Sequence, residues 1–203
     1  MNISKFKRFL VYDTETESLN LNSARPWQCS YMLFNHSKEI EEFDRYIWWN
    51  DLKISPEAAR ITKFDYDKYK SKSEDPQKVF DEFYKLLQDE DCAIVGQNIL
   101  NYDTYILMSW SEKCGRKIDN SYLERVIDTN ALSRGMKSNK NVDKENFLFW
   151  QYKILNEKLK VKTSVATMLK EFEIPHDTEK LHDGLYDIKM TKEIFYKLRH
   201  TLN

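Results

Sequence analysis

The sequence predicts an α/β fold built on a mixed sheet, and three observations carry that expectation. An apolar run, Phe9-Leu10-Val11-Tyr12, ends near the start of the chain at the acidic pair Asp13 and Glu15. Two segments rich in aromatic and β-branched residues then flank a turn, as the arms of an antiparallel hairpin do. Further on, short apolar runs alternate with segments of helical period, the pattern of strands joined by crossover helices.

The first strand is bounded by the polar cluster Glu17-Ser18-Leu19-Asn20-Leu21-Asn22. Residues 27–34 and 39–49 flank Asn35-His36-Ser37-Lys38 and predict a hairpin beside it. Ser55 then predicts an N-cap with Pro56 at the first helical position, and Pro76 opens a helix whose apolar stripe is Val79, Phe80, Phe83, Leu86 and Leu87. Ala93-Ile94-Val95-Gly96 reads as a buried strand. Residues 102–110 read as a helix with Asp103, Ile106, Leu107 and Trp110 on one face.

Residues 123–127 predict a further strand, ending at Asp128-Thr129 and running into a helix through Ala131 and Leu132. Thr163-Ser164 caps a helix over 165–172, and Pro175 follows it. The last helix spans about 185–198, with Asp187, Thr191, Ile194, Phe195 and Leu198 on one face. Between residues 134 and 162 eight Lys or Arg stand against three acids, interleaved with Phe147, Phe149, Trp150 and Tyr152. No repeat and no Gly/Ser-rich linker divides the chain, so residues 1–203 are expected to form one domain, with 134–162 a basic, aromatic insertion within it.

Composition narrows the function classes. With 41% hydrophobic and 14% aromatic residues in 203, disorder is excluded and a packed core is expected. The net charge of −1 excludes a strongly basic coat, so a polyanion must be met by a local patch or by metal ions. Cys29, Cys92 and Cys114 form no CxxC pair, which argues for reduced thiols and against zinc or disulfides. The basic start, Met1 to Arg8, is followed by no long apolar run. A soluble, cytoplasmic protein without membrane contact is expected.

Strand periodicity places Phe9, Val11, Asp13 and Glu15 on one side, with two carboxylates at the strand tip. Two such acids repel, and hard oxygen donors of this kind suit Mg²⁺ or Mn²⁺. The triplet alone is common: Asp143-Lys144-Glu145 has the same spacing in a polar stretch. Asp103 and Asp187 add weight, because each leads an apolar stripe where an unneutralised carboxylate costs several kcal/mol, on the order of 3–5. Four converging acids call for two divalent cations about 3.5–4 Å apart, as in phosphodiester hydrolysis. The structural alternatives are a helix cap at Asp187 and a backbone hydrogen bond at Asp103.

Three stretches carry a family resemblance: Asp13-Thr14-Glu15-Thr16, then Gly96-Gln97-Asn98-Ile99-Leu100-Asn101-Tyr102-Asp103, then His182-Asp183-Gly184-Leu185-Tyr186-Asp187. In order, spacing and placement they resemble the three motifs of the DEDDh 3′→5′ exonucleases, the DnaQ-like family. Ser55-Pro56-Glu57-Ala58 with Ile61-Thr62, and Val126-Ile127-Asp128-Thr129, extend the resemblance over most of the chain. It implies a ribonuclease H-like fold, a five-stranded mixed sheet flanked by α-helices. It also implies a two-metal enzyme releasing nucleoside 5′-monophosphates from the 3′ ends of single-stranded DNA, with a replication-polymerase partner possible. An exoribonuclease of the same fold is the alternative, and a non-catalytic binding or polymerase-associated module the third.

By the same resemblance Asp13 bridges two divalent cations, Mg²⁺ or Mn²⁺. Glu15 and Asp187 complete the site of the attacking water, Asp103 serves the second cation, and His182 is the general base. An imidazole is the side chain best suited to accept a proton near neutral pH. The sister DEDDy class would place tyrosine where this chain has Asp183, and His36, which also has an acid five residues on, lies in a turn with no other acidic motif. Leu19, Ile61 and Phe64 occupy positions that wedge beside terminal bases, with core packing as the alternative. Asn98, Thr14 and Thr16 fall at substrate-binding positions. The chain departs from the family in having Glu17-Ser18 where Thr-Gly is usual, and in the length of 134–162, whose cations and aromatics would hold the strand by phosphate contact and stacking.

Overall fold

Phe9 to Tyr12 are almost completely withdrawn from water, so the strand that carries them can only sit at the middle of a sheet covered on both faces. The computed structural model, which describes residues 1–21, 23–36 and 38–202, places it there. This strand is β1 (Arg8–Thr16). β2 (Pro26–Phe34) pairs antiparallel with it and β3 (Glu39–Ile47) pairs antiparallel with β2. The hairpin is therefore as expected. Ser37 of its turn and Asn22 of the cluster after β1 lie outside the described residues.

The chain continues through α1 (Pro56–Ile61), α2 (Tyr66–Lys72), β4 (Ser73–Glu74), α3 (Pro76–Leu87), β5 (Cys92–Gly96) and α4 (Asp103–Lys113). It ends with β6 (Val126–Asp128), α5 (Thr129–Lys137), α6 (Phe147–Asn156), α7 (Val165–Glu171) and α8 (Gly184–Leu198). The sheet order is β4-β3-β2-β1-β5-β6, with β5 parallel to β1 and β6 parallel to β5. The mixed sheet is thus six-stranded rather than five-stranded. The sixth strand, β4, is a two-residue edge pairing parallel with Tyr46 and Ile47, too short to leave a periodic signal.

Three other local expectations are corrected. Asn120–Arg125 winds as a 3₁₀ turn, so only Val126–Asp128 of the strand expected from residue 123 is extended. Asp119 caps that turn, and the Arg125 guanidinium reaches back to the carbonyls of Leu87, Asp89 and Cys92. α2 was not expected, because Tyr69 is its single buried residue and no apolar stripe marks it. Within 134–162, Phe147 and Trp150 are core residues of α6 rather than exposed stacking platforms. The Trp150 ring lies so close to Gly135 of α5 that a Cβ there would come within 2.7 Å of it. Phe149, 71% exposed, is the aromatic of that stretch that faces solvent.

Helices cover the two faces of the sheet. Phe195 of α8 packs on Phe9, ring centroids 5.2 Å apart, while Phe83 of α3 meets Tyr12 at 5.1 Å on the other side. Each fully buried side chain of this size contributes about 1.5–3 kcal/mol. By strand alternation the face that α8 covers is also the one to which Asp13 and Glu15 belong. Cys29, Cys92 and Cys114 are free thiols buried in this core. Among the described residues no helix is long and apolar enough to cross a membrane.

Candidate active site

The core packing that fixes β1 against α8 also brings three acids together. Side-chain oxygens of Asp13, Glu15 and Asp187 all lie within 4.8 Å of one another, each residue half-buried. Asp13 and Glu15 come from the end of β1, where the register with β2 shifts between Glu15 and Thr16. Asp187 comes from the first turn of α8. That helix is capped by Asp183, whose side chain accepts from the Tyr186 N–H, so Asp187 is not the cap. α8 can begin this close to the sheet because residue 184 is glycine: a Cβ there would stand 2.3 Å from Ser30 Oγ of β2.

Burial and mutual repulsion make these acids costly to ionise. Glu15 is pushed up to about 8 by burial and by the charges of Asp187 and Asp103. Asp187 is pushed up to about 6, chiefly by burial. Asp13 is raised well above the carboxylate range by burial, then by Asp103, Glu15 and Asp187. One oxygen of Asp187, Oδ2, accepts the His182 N–H at 3.0 Å, while the other, Oδ1, is buried with no hydrogen-bond partner. A buried acceptor left unpaired costs about 1–3 kcal/mol.

Asp103 stands slightly apart. It opens α4, is 2% exposed, and its Oδ1 accepts the Thr14 N–H at 3.0 Å and the Thr14 hydroxyl at 2.5 Å. Burial raises its pKa to about 7 against the lowering effect of those bonds. Of the four expected acids, then, three converge directly and the fourth is hung from the backbone of β1 between them.

The remaining expected residues divide by exposure. The hydroxyls of Thr14 and Thr16, expected toward substrate, are engaged inside the protein. Thr14 donates to Asp103, and Thr16 bonds the Tyr102 hydroxyl at 2.6 Å and the Ser18 carbonyl at 2.9 Å. Leu19 is 85% exposed and Ile61 41% exposed. Phe64 is half-buried, its ring edge-on to Trp27 at 4.9 Å. Asn98 is half-buried in the left-handed region, φ 60°, with its backbone N–H donating to Asp128 and its side-chain Oδ1 accepting from the Asn130 side-chain amide. His182, also left-handed at φ 68°, is exposed beside Asp187.

Two supporting residues, Glu17 and Asp128, stood outside the expected site set. Glu17, at the departure from Thr-Gly, takes a bidentate pair from Arg25 at 2.7 Å for each bond and so closes the loop that presents Leu19. Asp128, completely buried, accepts four backbone N–H groups, from Asn98, Leu100, Asn130 and Ala131. It thereby joins the loop after β5 to the start of α5. Its place between a strand and a helix is the usual N-cap signal.

The fold is found in known structures. The structure superposes on E. coli exonuclease I in complex with a dA16 oligonucleotide with TM-score 0.76 at 18% identity, covering 97% of this chain and 41% of that one. The zinc-bound form of the E. coli exonuclease I–single-stranded DNA complex gives the same values. A product-bound exonuclease I gives TM-score 0.72 at 15% identity, covering 96% and 44%. The chain spans about two fifths of the length of these proteins. No match to a curated protein was found. The RNase_T family model, described as Exonuclease, matches residues 10–195, a stretch that holds every acid discussed above and His182. With that match over most of its length, the chain belongs to the RNase_T exonuclease family, of ribonuclease H-like fold.

Proposed function

We propose that this chain is a 3′→5′ exonuclease of the DEDDh type that releases nucleoside 5′-monophosphates from single-stranded DNA. The convergence of Asp13, Glu15 and Asp187 within 4.8 Å supports the reading most. The donors fit divalent cations: all are oxygens, burial and then neighbouring acids raise their pKa values, and Asp187 Oδ1 is buried without a partner. Asp13, Glu15 and Asp187 would hold Mg²⁺ or Mn²⁺, and Asp103 would serve a second ion. Bound there, such ions offset charge on the scissile phosphate and acidify water.

The chain's own groups do the rest. His182 accepts a proton from the attacking water, whose oxygen forms the new bond to phosphorus. The bond to the 3′ oxygen of the penultimate nucleotide breaks, and that oxygen leaves protonated by solvent. Asp187 holds His182 by its backbone N–H, and Thr14 holds Asp103 through two hydrogen bonds. Exposed Leu19 and Ile61 can wedge beside the terminal bases, with Phe64 behind them and Asn98 toward the sugar-phosphate. Thr14 and Thr16 contribute through Asp103 and Tyr102.

DNA is preferred over RNA because the related exonuclease I complexes hold dA16 and dT13 oligonucleotides. The hydrogen-bond chain Asn98–Asn130–Thr163 ties the end of the 134–162 segment to the loop that carries Asn98, and the exposed Lys158, Lys160 and Lys162 would contact phosphate. We take residues 1–203 as one exonuclease domain, with 134–162 part of its substrate face. A replication-polymerase partner is not part of this reading.

Incubation of 3′-labelled and 5′-labelled single strands, DNA and RNA of equal sequence, with Mg²⁺ or Mn²⁺ tests it. Labelled mononucleotide appearing first from the 3′-labelled DNA is the expected result. Faster release from RNA favours the exoribonuclease, and binding without release favours the non-catalytic module.

A further inference from the structure

Resting on His182 as the proton acceptor of the proposed reaction, we propose that Lys63 is the positioning residue that holds it over the acids. Lys63 lies just beyond α1 in the left-handed region, φ 53°, a conformation that costs a residue with a side chain about 1–2 kcal/mol. Its ammonium donates to the Leu181 carbonyl at 2.8 Å and to the Glu179 carbonyl, 118 and 116 residues away in the chain. Both carbonyls belong to the short run that leads directly into His182.

Few other ties hold that run: Leu181 packs partly against the core, and the Asp177 N–H donates to the Tyr186 hydroxyl at 2.6 Å. The 3₁₀ turn Thr178–Lys180 has no buried residue, so its own side chains do not anchor it in the core. Its neighbour His182 is itself left-handed, and its N–H is on Asp187 Oδ2 at 3.0 Å. The peptide carrying His182 is thus held from two sides, by Asp187 at its N–H and by Lys63 at the two carbonyls before it. Lys63, His182, Asp183 and Gly184 also line one small cleft with Trp27 and Gln28. An ammonium strapping two carbonyls of an exposed loop fixes where an imidazole on that loop can reach. A shift of about 1 Å in such a group costs up to about a hundredfold in rate.

The test is kinetic, on the full chain with 3′-labelled single-stranded DNA. Lys63→Met keeps the aliphatic stem and removes the donors, and Lys63→Arg retains donors and charge. Lys63→Met should lower kcat about tenfold or more with KM little changed, and Lys63→Arg should recover most of the loss. In a His182→Ala background, Lys63→Met should cause no further loss, because both changes remove one function. Hydrogen exchange of residues 180–183 should quicken in Lys63→Met while Mn²⁺ affinity holds. An unchanged kcat, a rise in KM alone, or full additivity with His182→Ala would overturn the proposal while leaving the exonuclease reading intact. Loosened amides with an unaltered rate would do the same. A wild-type protein without exonuclease activity overturns both.

Discussion

At the scale of single residues the site is defined by which polar groups have partners. Asp187 spends one oxygen on the His182 N–H and leaves the other without one, whereas Asp103 is already bonded to Thr14. His182 is exposed, outside the cluster of converging acids, so its removal should separate catalysis from metal binding. His182→Ala is expected to lose on the order of 10²-fold or more in rate while Mn²⁺ affinity by calorimetry persists. An affinity that fell with the rate would make His182 a ligand. The meeting of Asp13, Glu15 and Asp187 was legible because strand and helix periodicity place them on facing sides of β1 and α8. The partners of Lys63 and Thr14 were not. Their hydrogen bonds span more than eighty residues of sequence and depend on how α1, α4 and the loop before α8 come to rest.

At the scale of elements, capping and loop closure decide what the site can be built on. Asp128 bonds four N–H groups while completely buried, with its pKa pushed up to about 6 by that burial. Asp128→Ala should cost about 3 kcal/mol in denaturant unfolding, from the missing cap and the unpaired donors of the loop that carries Asn98. Neutralising Lys153, Lys158, Lys160 and Lys162 together tests the other side of the site. All four are exposed, and none makes an ion pair among the described residues, unlike Lys137 and Lys140 of the same region. The change should weaken substrate binding with kcat nearly unaltered, and lower the log–log salt slope by roughly 0.7 for each phosphate no longer neutralised. An unchanged slope would make them a solvated face.

The same scale explains what the sequence concealed. Pro56–Ile61, Pro76–Leu87 and Val165–Glu171 were legible because Ser55, Pro76 and Ser164 announce them. α2 and β4 have too few buried residues to leave a period, and Asn120–Arg125 shows apolar character without being extended. In 134–162 composition misled. The aromatics read as a stacking surface largely pack inward, because α6 lies against α5 at Gly135.

For the molecule as a whole, concentrating acids at the end of a central strand makes metal-free stability depend on pH with an unusual sign. In the folded chain Glu15 is pushed up to about 8, Asp103 to about 7 and Asp187 and Asp128 to about 6, with Asp13 also raised. The folded state therefore holds more protons than the unfolded one between about pH 4 and pH 8, and stability falls as pH rises across that window. The contribution of these groups is complete below about pH 4 and lost above about pH 8. Melting temperatures of the metal-free protein should accordingly decline from pH 6 to pH 8.5, and Mn²⁺ should flatten the decline.

The most direct measurement is the melting temperature of the wild-type protein and Asp13→Asn at pH 8, each in chelator and in Mn²⁺. If the three converging acids are a cation site, Asp13→Asn melts higher than wild type in chelator, because a repelling charge is gone. Mn²⁺ at about 100 times its Kd then stabilises the wild type by about 2.7 kcal/mol, or roughly 5–10 °C, and moves Asp13→Asn little. An Asp13→Asn variant that melts below wild type in chelator and gains as much from Mn²⁺ would contradict a metal-held active site at Asp13, Glu15 and Asp187.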